Sequence, residues 1–361
     1  MPFEIDFLSN ADVKQDADAI CFRFKTTILG NYTVCVFDGG TSEYAATIKE
    51  HLAKYYENPT VIDYVFCSHP DQDHASGLKE ILESCNVRNL VMNRPWLYAK
   101  DLYPRVDDGR ITVESLERRL RESFPYADAL EEVALRRNIN IINAFQGQRF
   151  CDDRLQILSP SKSFYIDLLA ESDKTPETSG AQTKASFFSK ISATICNLLE
   201  SWGKDSLREN STTSAENESS IVLYGDMSDE RFIMTGDAGI RALSHAIDFA
   251  ESRGIDIKRD VSFYQIPHHG GRRNLSPSLM NRLVGPIVPE GSKPTKSAIV
   301  SVAKDSDHPK KMVVNAFIRR GCSVSIADKN TICHHRDTST RDGWGPAEQE
   351  EFSTRVEEWE D

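Results

Sequence analysis

The sequence predicts an α/β (α+β) fold in which strands and helices alternate along the chain. Two observations support this class. Apolar runs of strand length are followed by segments whose apolar residues recur at helical spacing. Clusters of aspartate and histidine come directly after several of these strands, where α/β proteins commonly gather their functional groups.

The first half of the chain shows this alternation most clearly. The turn Asp38-Gly39-Gly40 ends the second predicted strand, and Pro125 divides a long helical segment into two parts. We expect strands at 20–24, 32–37, 61–67, 89–92, 139–145 and 155–158, and helices at 44–56, 77–83 and 111–137.

An insertion of residues 164–218 interrupts the pattern. Its polar stretches are rich in Ser, Thr, Glu, Lys and Asn and predict flexible tethers. Between them, 187–202 has the spacing of an amphipathic helix. This helix either packs onto the body of the protein, or acts as a lid or as a docking site for a partner protein.

The alternation resumes after the insertion. A hairpin of two strands, 221–224 and 231–234, is followed by helices at 242–253 and 310–320 and strands at 261–266, 297–302 and 323–327. We therefore expect residues 1–336 to form one domain that carries the insertion. The acidic and polar residues 337–361 are expected to form a loose tail.

Composition restricts the classes of protein. A formal net charge of −12 argues against a general nucleic-acid coat, but not against an enzyme that meets a phosphodiester in one local groove. The eight cysteines include no CxxC pair, which argues against a thiolate metal site. No apolar run is long enough to span a membrane, and residues 1–10 do not resemble a signal peptide. We expect a cytoplasmic protein without a membrane partner.

The stretch Ser68-His69-Pro70-Asp71-Gln72-Asp73-His74 is the strongest chemical signal. It follows an apolar strand, and other strand ends carry Asp237, the pair His268-His269, and Asp307-His308. Imidazole and carboxylate ligands without thiolate suit Zn²⁺, Mn²⁺ or Fe, and a bridging carboxylate suits a site with two metal ions. The sequence therefore predicts a metal site at this edge of the fold.

The motif SHPDQDH resembles the HxHxDH signature of the metallo-β-lactamase fold, with Asp71 in place of the second histidine. Its HxDxDH form is similar to that of the soluble hydrolase domain of ComEC-type competence proteins. The segments VCVFDGG, NESSIVL, FIMTGDAG, YQIPHHGG, IVSV and DHP follow in the family's order, so the resemblance covers about residues 3–332. It implies a four-layer αββα sandwich, in which two sheets pack face to face with helices outside.

The resemblance also implies ligands for one or two divalent ions, Zn²⁺ or Mn²⁺. The metal ligands would be His69, Asp71, Asp73, His74, Asp237 and His268. Asp237 would bridge both ions, and His268, rather than His269, would complete the second site. Fuller members of the family place another histidine ligand between the first motif and the bridging aspartate. This chain has no histidine between His74 and His245, so the first ion would be held weakly or be absent.

The remaining candidates concern the substrate. Asp73 would accept a proton as well as bind metal, and His308 would lie near the reacting phosphate or its leaving group. His269, Arg272 and Arg273 would bind the substrate, the two arginines by holding phosphate oxygens.

Three functions remain open from the sequence. The first is a metal-dependent phosphodiester hydrolase, expected to be a nuclease that acts on DNA in DNA processing or in defence against foreign DNA. The second is a hydrolase of a small phosphodiester, such as a cyclic nucleotide or a phosphorylcholine ester. The third is a subunit of a larger complex, whose metal site is weakened.

Overall fold

Two seven-stranded sheets and their flanking helices form the computed structural model, which describes residues 1–27, 30–106, 108–175, 198–227 and 229–359. Aromatic and aliphatic side chains of both sheets, including Phe22, Phe66, Phe232 and Phe263, form a buried core between them. Each sheet packs its other face against helices through a core of its own. The four-layer αββα sandwich of the metallo-β-lactamase fold is therefore confirmed.

The first sheet has the strand order β15-β1-β2-β3-β4-β5-β6. Strands β3 to β6 run parallel to one another. The pairs β15–β1, β1–β2 and β2–β3 are antiparallel. The bounds are β1 Phe3–Phe7, β2 Ala19–Lys25, β3 Tyr32–Gly39, β4 Ile62–Phe66, β5 Val87–Val91, β6 Asn140–Ile142 and β15 Ile332–Arg336.

The second sheet has the order β14-β13-β12-β11-β10-β8-β7. Its strands β11 to β14 run parallel, and the remaining pairs are antiparallel. The bounds are β7 Arg149–Phe150, β8 Leu155–Ser159, β10 Val222–Asp226, β11 Arg231–Met234, β12 Phe263–Gln265, β13 Lys296–Ser301 and β14 Cys322–Ala327. The predicted hairpin is thus confirmed as β10 and β11.

The helices cover the outer faces of both sheets. Their bounds are α1 Tyr44–Tyr55, α2 Gln72–Ser84, α3 Ala99–Leu102, α4 Val113–Ser123, α5 Pro125–Arg136, α6 Lys162–Glu171, α7 Ala215–Glu218, α8 Ile240–Ser252, α9 Ile257–Asp260, α10 Pro277–Leu283 and α11 Lys311–Ile318. Pro125 begins α5, which confirms the expected division of the 111–137 segment. In the described part of the chain, no helix combines the length and the apolarity that crossing a bilayer requires.

The segments around the insertion are more ordered than their composition suggests. Most of the predicted 187–202 helix lies outside the described residues, but Leu198–Leu199 forms a strand, β9, that pairs with β16 at Arg355–Val356. The buried Arg319 lies 3.1 Å from a Glu200 oxygen and 3.5 Å from an Asp205 oxygen. The predicted helix is therefore wrong at its C-terminal end, because Leu198 and Leu199 pair with the C-terminal segment as a strand.

The residues after 336 also differ from the expected loose tail. Arg341 reaches the buried Asp6 on β1 with two hydrogen bonds, of 2.6 and 2.9 Å. Val356 is fully buried, and Glu357 accepts a hydrogen bond from the backbone N–H of Lys311 at the start of α11. A polar composition predicted looseness, but a few anchoring side chains fix the described part of this segment to the body.

Candidate metal centre

The candidate site lies where parallel strands of both sheets end. Strands β3 and β4 of the first sheet lead to Asp38 and His69, while β11 and β12 of the second lead to Asp237 and His269. Because the carboxyl ends of parallel strands meet at one edge, short loops bring these side chains together. Four atoms that could bind a metal ion, one each from Asp18, His74, Asp237 and His269, lie within 4.8 Å of one another. We call such atoms donors.

The first turn of α2 holds His74. The helix begins at Gln72, earlier than the sequence suggested, so Asp73 and His74 extend from its N-terminal turn. A Cβ atom on Gly77 would lie 2.0 Å from the carbonyl oxygen of Gly39, so glycine is needed for α2 to approach the end of β3 this closely.

Asp38 orients His74 from the end of β3. One Asp38 oxygen lies 2.8 Å from Nδ1 of His74 and accepts a hydrogen bond of 2.6 Å from the Ser68 hydroxyl. Its other oxygen accepts a hydrogen bond from the backbone N–H of Ser68. Asp38 is fully buried, and it fixes both the imidazole of His74 and the loop that carries His69.

Gln265 connects the two sheets at this edge. Its side-chain oxygen accepts hydrogen bonds from the backbone N–H groups of Thr235 and Gly236, which shape the turn before Asp237. Its side-chain nitrogen donates to Asp18 over 2.9 Å. One buried amide thus positions two carboxylates, Asp18 and Asp237, that are far apart in the sequence.

The turn after β12 separates the roles of His268 and His269. Both residues have positive φ, 49° and 53°, a conformation that costs energy in residues other than glycine and is held here by the surrounding contacts. His269 is buried and donates through Nδ1 to the Ser301 carbonyl. His268 is more exposed, and its Nδ1 contacts Asp237 and Asn217. The structure thus brings His269, and not His268, into the cluster of four donors.

Four buried atoms around Asp237 lack a hydrogen-bond partner among the described residues. These atoms are Nε2 of His69, His74 and His269, and Oδ1 of Asp237. In each histidine, Nδ1 is already engaged, by Ser68, Asp38 and Ser301 in turn. Histidine ligands of metal sites are anchored through one ring nitrogen in this way, which leaves the other free to bind. The donors therefore fit a divalent metal ion.

Asp237 lies between two groups of donors. Its Oδ1 is 3.2 Å from Nε2 of His74, and its Oδ2 is 3.8 Å from Nε2 of His69. Asp71 lies 3.8 Å from His69, while Asp73 lies 3.7 Å from His269. The first group, His69 and Asp71, and the second group, Asp73, His74, His269 and Asp18, could each hold an ion that shares Asp237.

The electrostatic field of the site favours cations. Burial opposes the charged form of His269, but the Asp73 carboxylate, 3.7 Å from its Nε2, and the charges of Asp18 and Asp237 raise its pKa to about 10. Burial likewise opposes the charged form of His74, and the Asp237 and Asp38 charges outweigh it and raise that pKa. Burial raises the pKa of Asp18 to about 6. A site that draws protons onto buried imidazoles in this way would also attract a metal cation.

The predicted substrate residues lie in two different surroundings. His308 lies beside the cluster, with its ring centroid 6.5 Å from that of His268, and its Nδ1 is 3.0 Å from an Asp16 oxygen. Arg272 instead stacks on Trp359 at 4.7 Å and donates to the backbone of Glu358. Arg273 is exposed next to it. The roles of all three remain predictions.

Several residues of the site were not identified from the sequence. The sequence pattern singles out none of Asp16, Asp18 and Gln265, and it places Asp38 in a turn. The available signal was position, because each of the three aspartates lies just before or after a strand that the sequence predicted.

Comparison with known families agrees with this geometry. Residues 28–138 match the model of the Metallo-beta-lactamase superfamily. The matched segment runs from just before β3 to just after α5. Metal-dependent hydrolases are typical of that superfamily, and the candidate metal site around Asp237 agrees with such chemistry. Similarity to the ComEC-type hydrolase domain remains a prediction from the motifs.

A search of curated proteins finds no match. Several solved structures resemble the chain at low sequence identity. Unliganded yeast PDE1 is 12% identical, with a TM-score of 0.42, 91% of this chain covered and 98% of that chain. A beta-lactamase domain protein from Burkholderia ambifaria is 11% identical, with a TM-score of 0.32, 72% of this chain covered and 64% of that chain. Metallo-beta-lactamase SMB-1 bound to 2-mercaptoethanesulfonate is 8% identical, with a TM-score of 0.31, 73% of this chain covered and 83% of that chain.

Proposed function

We propose that this protein is a metal-dependent phosphodiester hydrolase, with DNA as its first candidate substrate. The observation that carries the proposal is the position of Asp237 between His69 on one side and His74 on the other, with buried and unpaired donor atoms facing inward. The donors are imidazoles and carboxylates, a set that suits Zn²⁺ or Mn²⁺.

A divalent ion at such a site lowers the pKa of a bound water toward neutrality and stabilises negative charge on phosphate oxygens. His69 and Asp71 would hold an ion in the first position, and Asp18, Asp73, His74 and His269 would hold one in the second, with Asp237 available to both. His268 is a candidate to share Asp237 from the more exposed side, where its Nδ1 already contacts that carboxylate.

Two further residues would handle protons. The side chain of Asp73 is about one-fifth exposed, the most accessible carboxylate of the second group of donors, and we assign it the acceptance of a proton. His308 is held by Asp16 through Nδ1, so its Nε2 remains for the leaving group or the phosphate. Each assignment requires the ring or carboxylate to reach a bound substrate.

The DNA assignment rests on the motif resemblance, and one observation favours a small phosphodiester as the second candidate. Two lysines near the site are engaged by carboxylates: Lys174 lies 2.6 Å from Asp71, and Lys310 lies 2.6 Å from Asp307. Such pairs leave less positive charge for a long polyanion than a nuclease groove commonly presents. A substrate with a single phosphodiester needs less positive charge for binding than a polyanion does.

The test combines metal content with hydrolysis. Purified protein would be assayed with Mn²⁺ or Zn²⁺ on single-stranded DNA, double-stranded DNA, cyclic nucleotides and bis(p-nitrophenyl) phosphate. We expect hydrolysis that is lost in Asp73→Ala/His74→Ala and retained in His335→Ala, which changes an exposed histidine on β15. Cleavage of DNA would support the first substrate, and cleavage of the small diesters alone would support the second. Bound metal without hydrolysis of any diester would contradict the proposal.

A further inference from the structure

We infer that the centre holds one metal ion in the second group of donors, and that the Lys174 ammonium takes the place of a second ion beside Asp71. This inference rests on the metal dependence proposed above, and it concerns which of the two positions a metal occupies.

The two positions differ in negative charge. The second group surrounds its position with carboxylates of Asp18, Asp73 and Asp237, together with two imidazoles. The first group has only one carboxylate of its own, Asp71, and it shares Asp237 with the other position. A divalent cation is therefore attracted more strongly to the second position.

Lys174 reduces the charge of the first position further. Its Nζ lies 2.6 Å from Oδ1 of Asp71, while Oδ2 of the same carboxylate faces His69 at 3.8 Å. One ammonium thus balances the only carboxylate that the first position does not share. An ion bound there would meet this positive charge across a single carboxyl group, and the two cations would repel each other.

The position of Lys174 is fixed by the fold. It follows the end of α6, and its backbone N–H donates to the Ser172 hydroxyl over 3.0 Å. Ser172 is buried and in turn donates to Glu216. The Lys174 ammonium also lies over the ring of Phe124 at 5.4 Å. These contacts hold the lysine beside Asp71, although 37% of its side-chain surface is exposed.

The sequence supports the same assignment independently. The chain has no histidine between His74 and His245, so no imidazole from this region completes the first position. Lys174 lies within that interval. Its ammonium group places a positive charge beside Asp71, whereas a histidine ligand would offer a lone pair to the ion. Lysine ammonium cannot act as a ligand, because it has donors and no acceptor.

The experiment measures zinc bound per chain. Wild type, Lys174→Met, Lys174→Arg and Lys162→Met would be dialysed against buffered free Zn²⁺ and analysed by mass spectrometry, with circular dichroism to check folding. Lys162→Met removes a lysine of α6 that pairs with Asp101, away from the cluster. We expect one ion in wild type, Lys174→Arg and Lys162→Met. Lys174→Met should take up a second ion with at least tenfold higher affinity than wild type.

The other outcomes are distinct. Two ions in wild type, or no gain of a second ion in folded Lys174→Met, would overturn the role of Lys174 and leave the proposed function standing. No ion in any of the four proteins would overturn the proposed function and this inference together.

Discussion

Replacing Asp38 with asparagine tests how the fold prepares His74 to bind a metal ion. In the wild type, an Asp38 oxygen lies 2.8 Å from Nδ1 of His74 and holds a proton on that nitrogen, so that Nε2 is the nitrogen that presents a lone pair once a metal ion displaces the second proton. Asparagine has nearly the same shape but presents an NH₂ group there. That group would donate to Nδ1, and the proton would move to Nε2, which could then no longer act as a ligand.

The magnitude follows from the bond that is lost. A hydrogen bond to a charged group contributes roughly 1.5–3 kcal/mol, and each 1.4 kcal/mol corresponds to about a tenfold change in an equilibrium constant. We therefore expect Asp38→Asn to weaken metal binding about 10–100-fold, the range typical of residues that orient a metal ligand. Competition against a chromophoric chelator would measure the affinity.

Asp63→Asn is the matched control. Asp63 lies on the neighbouring strand β4 and accepts hydrogen bonds from the backbone of Val34 and from Arg88, without contacting a histidine. It should change the free energy of unfolding but not the metal affinity. Unchanged metal affinity in a folded Asp38→Asn protein would refute the reasoning about the His74 tautomer.

Two further predictions concern the scaffold. Gly77→Ala places a Cβ 2.0 Å from the Gly39 carbonyl, so we expect a loss of about 1–3 kcal/mol in urea unfolding, and weaker metal binding as α2 shifts. An unchanged unfolding free energy would contradict that close approach. The second prediction concerns Asp6. Burial alone would raise the pKa of Asp6, but His51 and Arg341 bind its carboxylate and hold the pKa below its ordinary value. Asp6 thus stabilises the fold above about pH 4 and less as pH falls. Arg341→Met should cost about 3–5 kcal/mol at pH 7 and less at pH 4, and an equal deficit at both would contradict this account.

The local motif made much of the site predictable. His69, Asp71, Asp73 and His74 lie within six positions after a buried strand, so one stretch of sequence indicates both the candidate ligands and their place in the fold. Parallel strands made their meeting with Asp237 predictable as well, since strand ends gather at one edge.

The supporting residues could not be identified in the same way. Asp18 and Gln265 are 247 positions apart, and only the packing of the two sheets reveals that one donates a hydrogen bond to the other. A single aspartate or glutamine next to a strand has no distinctive pattern in sequence, because the same residues end strands throughout proteins for reasons of turn formation.

The choice between His268 and His269 was also beyond the sequence. Adjacent residues in a turn point in different directions, and here a backbone carbonyl of β13, from Ser301, selects His269 for the buried position. Every residue type has a backbone carbonyl, so no pattern of side chains in the sequence predicts this hydrogen bond. The order of the segments at 198–218 and after 336 could not be predicted from composition either. Single side chains far apart in the sequence, such as Arg341, hold these polar segments in place.

The most direct test of the central claim is the metal content of wild type and His74→Ala after dialysis against Zn²⁺ or Mn²⁺. His335→Ala would be the control. The account predicts at least one ion per chain in wild type and in the control, and its loss in folded His74→Ala. Absence of metal from the wild type, or equal metal in all three proteins, would contradict the claim that the donors around Asp237 form a metal centre.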